Sequence, residues 1–225
     1  MNTKWLFIHI PKTGGTFFRK SVCEPPVSVH NLGHSFPYRF YVKGWDPKHA
    51  FYKPLAEKQK QNFYNLEYSP LYTVENDYID YITVIRNPFD LFYSYWRFSS
   101  GDGGHGWANC NQLMGTNTFN DFVERYLDSN AEWHIPPLKR NLFAQIYTKS
   151  GELIPKMENI LRNENLEEEL KAWCQTNQVM RTHVPDYDRN INPKKETWRD
   201  KYTTLQIYRL TKLWEEQLRT FNYEF

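Results

Sequence analysis

The sequence predicts an α/β fold: one domain over residues 1–225, with a central, mostly parallel sheet flanked by helices. Three observations lead there. Short, nearly continuous apolar runs recur at Trp5–Ile10 and Tyr78–Ile85, runs of a kind that suits strands covered on both faces, and Lys156–Leu161 resembles a third strand. Segments with helical patterning alternate with them, as in a parallel sheet with crossover connections. A chain of 225 residues, 40% hydrophobic and 17% aromatic, has enough apolar side chain for one sizeable core, and neither a repeat nor a linker divides it.

Trp5–Ile10 reads as the first strand, and the glycines Gly14 and Gly15 turn the chain out of it. Thr16–Val22 then starts a helix with Phe17, Phe18 and Val22 inward. Residues 24–76, rich in Pro, Tyr, Phe and His, have little regular period and read as irregular, with short helices such as one near Pro54–Tyr64. Tyr78–Ile85 is the second strand. Asn87 suits the cap of the next helix and Pro88 its first turn. Phe89, Phe92, Tyr93 and Trp96 follow at i, i+3, i+4 and i+7, a stripe that faces a core. Gly101–Gly106 is a flexible loop placed to serve as a lid over an acceptor. Thr118–Leu127, Pro136–Tyr147 and Leu166–Thr176 read as helices. Thr203–Phe221 is the last, with Leu205, Tyr208, Leu210, Leu213, Trp214 and Leu218 expected inward.

Several function classes are disfavoured at this level. A formal net charge of +2 is too small for a nucleic-acid protein that works by its bulk field. Cys23, Cys110 and Cys174 lie far apart, which argues against a zinc site or a disulfide framework and points to a reducing compartment. No apolar run approaches the roughly 18 residues of a membrane span. Trp5–Ile10 is too short for a signal-peptide core, so a complete cytoplasmic chain is the expectation.

Two segments carry chemistry. In Pro11-Lys12-Thr13-Gly14-Gly15-Thr16 a strand leads through glycines into a helix whose first N–H groups lack internal partners. Glycines let those groups converge on an anion, Lys12 adds charge, and Thr13 and Thr16 add hydroxyls. The common nucleotide loop GxxxxGK[ST] has its lysine after the glycines; here Lys12 precedes them. The second segment, Val84-Ile85-Arg86-Asn87-Pro88 with Ser94 eight residues after Arg86, places an arginine fork where a buried strand ends. That is the edge at which open α/β sheets bind ligands. The strand ends in Arg86 where a magnesium-ATP enzyme would carry an aspartate. The plain alternative for Arg86 is a pair with a local acid such as Asp90.

Together the two segments resemble the nucleotide-binding motifs of sulfotransferases that use 3′-phosphoadenosine 5′-phosphosulfate (PAPS), in a P-loop-like architecture. The resemblance is nearest to the carbohydrate-type branch that includes heparan sulfate 2-O-sulfotransferase. Ile160-Leu161-Arg162-Asn163-Glu164-Asn165-Leu166 is similar to the strand and turn written R-x-E-x-L in these enzymes, and the C-terminal Phe221–Phe225 is similar as well. The resemblance implies that Lys12, Thr13, Gly14, Gly15, Thr16 and Phe17 hold the 5′-phosphosulfate. Arg86 and Ser94 would hold the 3′-phosphate, and Lys194 (with Lys195) would belong to a late basic loop over the nucleotide. It implies PAPS as co-substrate, the bisphosphate product PAP, no metal, and an acceptor hydroxyl, most plausibly of a carbohydrate. Lys12 would stabilise charge on the departing oxygen, and a general base would take the acceptor proton. His34, in Leu32-Gly33-His34-Ser35-Phe36, resembles the segment that supplies this base; His30, His105 and Glu67 are alternatives. A P-loop phosphotransferase and a non-catalytic nucleotide-binding protein are the competing readings.

Overall fold

The computed structural model describes residues 4–8, 10, 12–22, 27–28, 79–99, 118–128, 142–143, 146–147, 151–181 and 197–225. Four strands form one sheet: β1 (Lys4–Ile8), β2 (Val27–Ser28), β3 (Ile79–Ile85) and β4 (Ile160–Arg162). Their order across the sheet is β2-β1-β3-β4, and every neighbouring pair is parallel. The helices are α1 (Gly15–Ser21), α2 (Pro88–Ser99), α3 (Phe119–Leu127), α4 (Leu166–Thr176), α5 (Thr204–Leu213) and α6 (Glu215–Thr220).

The continuous apolar runs are explained by two cores, one on each face of the sheet. Alternate residues of a strand point to opposite faces. Trp5, Phe7, Ile82, Val84 and Leu161 enter one cluster with Phe17, Phe18, Leu166, Leu170 and Trp173 from α1 and α4. Ile8, Ile85 and Ile160 enter the other, with Phe89 and Phe92 of α2, Phe122 of α3, Leu210 of α5, Trp214 and Leu218. Thr83, buried in the central strand, donates its hydroxyl to Ile8 O at 2.8 Å, so its polar atom is satisfied within the sheet.

Most expected elements occur with small shifts. The third expected strand forms only over Ile160–Arg162; a single 3-10 turn, Met157–Asn159, precedes it. The last helix is broken. Trp214, fully buried, separates α5 from α6, and Leu205 and Tyr208 are 62% and 56% exposed rather than inward. Gln206 takes the buried position instead. It closes a capping box with Thr203 and donates to Glu124 Oε1 at 3.0 Å, so both its amide oxygen and its amide nitrogen have a partner in the interface. The region 24–76 (apart from β2), the Gly101–Gly106 loop and most of Pro136–Tyr147 lie outside the described residues.

Connectivity locates the site. From β1 the chain passes through α1 to β2 on one side; from β3 it passes through α2 and α3 to β4 on the other. The direction of winding therefore reverses between β1 and β3. At such a point the two loops leaving the strands diverge and open a crevice at the C-terminal edge of the sheet.

Candidate functional site

The loop after β1 is held in an unusual backbone. Lys12 has φ 65 and Gly14 φ 95, both left-handed. A lysine in this region is strained and persists only where its surroundings enforce it. Three contacts do so. Thr13, fully buried, donates its hydroxyl to Ile10 O at 2.7 Å. Asn163 Nδ2 donates to Thr13 O at 3.0 Å, and Arg86 Nη1 donates to Lys12 O at 3.0 Å. Gly14 then caps α1. A Cβ there would lie 2.6 Å from Asn163 Nδ2 and 2.8 Å from Leu166 Cδ2, so glycine is required by both conformation and space.

The turn after β3 is equally constrained. Asn87 Oδ1 accepts from Phe89 N at 3.0 Å and caps α2, as the sequence predicts. Its own N–H goes to Glu164 Oε1 at 2.6 Å and its Nδ2 to Glu224 O at 2.7 Å. Arg86 grips Asp90 with a fork, Nε to Oδ2 at 2.7 Å and Nη2 to Oδ1 at 2.8 Å. The local-acid pairing is thus present, yet Arg86 also reaches across to the first loop through Lys12 O. One guanidinium ties the two loops together at the switch point.

Ser94 follows Asp90 by one helical turn, and Arg97 follows Ser94 by three residues, so Asp90, Ser94 and Arg97 share one face of α2. That face is turned to the first loop. Lys12 is pushed down to about 8, first by burial and then by the nearby charges of Arg86 and Arg97. Lys12 thus feels two further cations, one of which, Arg86, is already paired with Asp90. An anion set among them would relieve this repulsion, so the donor set fits phosphate or sulfate groups. Among the described residues no cluster of His, Cys, Asp or Glu is arranged to hold a metal, and no helix is long and apolar enough to cross a membrane.

A model of the sulfotransferase family matches residues 2–224. The chain belongs to the sulfotransferase family. No curated protein and no solved structure matches it.

The structure brings Lys12, Thr13, Gly14, Gly15, Thr16 and Arg86 of this sulfotransferase to one edge of the sheet, while Ser94 lies further along α2 on the same helix face as Asp90. Two of the expected side chains are already engaged within the protein. Thr13 spends its hydroxyl hydrogen on Ile10 O and so shapes the loop; Thr16 is the loop threonine that stays partly exposed. The Phe17 side chain is buried in the apolar cluster beneath the sheet, so only its backbone faces the loop side. His34 and Lys194, with the alternatives His30, His105 and Glu67, lie outside the described residues. Arg97 was not singled out by sequence; its spacing from Asp90 and Ser94 on a helix is the signal that marks it. Asn163 and Glu164 fall within the R-x-E-x-L segment that the sequence marks, but nothing local names their partners, which stand 150 and 77 residues away.

Proposed function

We propose that the chain transfers a sulfuryl group from PAPS to an acceptor hydroxyl on a carbohydrate. One observation carries this reading: the Lys12 loop and the Arg86 turn are joined at the switch point, with Arg97 beside them, in a chain of the sulfotransferase family. A nucleotide carrying phosphate at both its 5′ and 3′ positions presents two anionic groups to such a pair of grips. The Lys12 loop suits the 5′ side and the Arg86, Ser94 and Arg97 surface the 3′ side. Lys194 is proposed to close over the nucleotide. The carbohydrate acceptor rests on the motif resemblance alone. Residues 1–225 are read as one domain, and the separated cysteines favour a cytoplasmic setting.

The donor supplies an activated sulfuryl group. The new bond forms between the acceptor oxygen and sulfur, while the bond from sulfur to the 5′-phosphate oxygen breaks. Lys12 has two tasks here: it holds the 5′ group, and its ammonium offsets charge growing on the departing oxygen. Arg86 and Ser94 bind the non-reacting end and convert that binding into orientation. The acceptor proton passes to a base, proposed as His34, since histidine as a residue type exchanges protons near neutral pH.

Calorimetric titration with PAP, with and without magnesium, beside ATP and 5′-AMP, tests the reading before any acceptor is known. Tight, metal-independent binding that needs the 3′-phosphate is expected; a preference for magnesium-ATP would transfer the chain to the phosphotransferases. An acceptor screen with PAPS then follows. His34→Ala should lower kcat while leaving PAP affinity in place, and unchanged turnover would remove His34 from the base role.

A further inference from the structure

We propose that the turn from β4 to α4 is a positioning device with two separate outputs. Asn163 sets the Lys12 loop, while Glu164 sets the Arg86 turn and thereby governs preference for a 3′-phosphate. The inference rests on the nucleotide reading above and concerns residues that act through others.

Glu164 directs its two oxygens at different elements. Oε1 accepts from Asn87 N at 2.6 Å, and Oε2 accepts from Tyr223 OH at 2.9 Å. The Asn87 N–H belongs to the rigid peptide unit that begins at the Arg86 carbonyl. A charge-assisted bond to it fixes the backbone just beyond the Arg86 Cα, and with it the direction in which the guanidinium leaves. The C-terminal tail braces this carboxylate. Burial and the adjacent Glu164 push the Tyr223 hydroxyl well up, so it remains a donor. Arg162 holds Phe221 O at 2.8 Å through Nη2 and lies 5.2 Å from the centre of the Tyr223 ring. Asn87 Nδ2 ties back to Glu224 O at 2.7 Å.

Asn163, the preceding residue, serves the other loop. It bonds Thr13 O and packs so closely on Gly14 that no side chain fits between them. Two successive residues on one edge strand's exit thus address the two grips separately. Each contact is polar and directional, and each ends on backbone beside a cation that would touch the nucleotide.

The separation is read as the ratio of the 5′-AMP dissociation constant to that of PAP. This ratio isolates the 3′-phosphate, and a general loosening of the protein leaves it unchanged. Glu164→Ala should lower the ratio about tenfold, the loss of one charge-assisted hydrogen bond's worth of orientation. Glu164→Gln, which keeps an acceptor for Asn87 N–H and a partner for Tyr223, should restore most of it. Asn163→Ala should weaken both ligands and leave the ratio unchanged. Tyr223→Phe, a milder change that decides the matter if Glu164→Ala does not fold, should lower the ratio about threefold. If the unaltered protein does not prefer PAP to 5′-AMP, the nucleotide reading itself fails. If it does, a ratio unmoved by Glu164→Ala or Tyr223→Phe overturns the inference, as does an equal fall in Asn163→Ala.

Discussion

Replacing Lys12 by methionine is expected to stabilise the ligand-free protein while weakening its hold on the nucleotide. Lys12 has its pKa lowered from 10.5 to about 8 by burial and by Arg86 and Arg97. At about 1.4 kcal/mol per unit, holding that ammonium in the folded protein at pH 7 costs about 3 kcal/mol. Methionine keeps a flexible unbranched stem without the charge, and it inherits the same left-handed backbone, so strain at φ 65 is common to both proteins. For a chain of this size the gain corresponds to a rise in Tm of about 6–12 °C. The sign in pH follows from proton binding. Between pH 8 and 10.5 the unfolded chain holds a proton at Lys12 that the folded chain has lost, so wild-type stability climbs relative to the variant. Above that window both states are neutral and the penalty is gone; below it both are charged and the penalty is complete. Paired thermal melts of the two proteins from pH 7 to 10.5, without nucleotide, measure the difference. A Lys12→Met protein that melts at or below the wild type at pH 7, or a gap that does not narrow with rising pH, would refute the cation-cluster reasoning. Calorimetry on the same samples should show PAP binding weakened at least about tenfold, the opposite sign from stability.

Four further outcomes are expected. Arg86→Ala should cost about 2–5 kcal/mol of PAP binding through loss of the proposed 3′-phosphate contact, and much less of 5′-AMP binding, by calorimetry. PAP affinity should fall by up to about tenfold per pH unit above pH 8, since binding needs the Lys12 proton; titrations in buffers of different ionisation enthalpy should show proton uptake there, and Lys12→Met should not. Gly14→Ala should destabilise by about 2–4 kcal/mol in urea unfolding, from backbone strain plus the clash with Asn163 and Leu166. Gly151→Ala, with a similar positive φ but nothing within 4 Å, should cost only the backbone share, about 1–2 kcal/mol.

Much of the sheet was legible because its signals are local. Uninterrupted apolar runs announce strands covered on both faces, and β1 and β3 lie within a residue or two of the runs that predict them. The helix over Leu166–Thr176 and the Asn87 cap depend on neighbouring residues and occur as expected. The buried face at the start of the last helix was not legible, because periodicity cannot weigh a capping box and the Glu124 bond of Gln206 against the apolar claims of Leu205 and Tyr208. At the candidate site, glycine spacing and the arginine at a strand's end marked the two loops that the structure joins. The pairing of Arg86 with Asp90 was visible as an alternative, but nothing local showed that the same guanidinium spans to Lys12 O, 74 residues away.

The sequence by itself determined the element types, the family motifs and which residues carry charge at the ends of β1 and β3, since each depends on the chemistry of adjacent positions. Only the tertiary structure decided that these two strands lie side by side and parallel, that winding reverses between them, and that Arg86 reaches Lys12 O. It also decided that Asn163, Glu164 and the C-terminal tail lock the loops in place. The physical reason is that these contacts arise from strand order and from hydrogen bonds whose partners are distant along the chain. A buried backbone N–H must find an acceptor, but no local pattern says which residue, 77 positions later, supplies it.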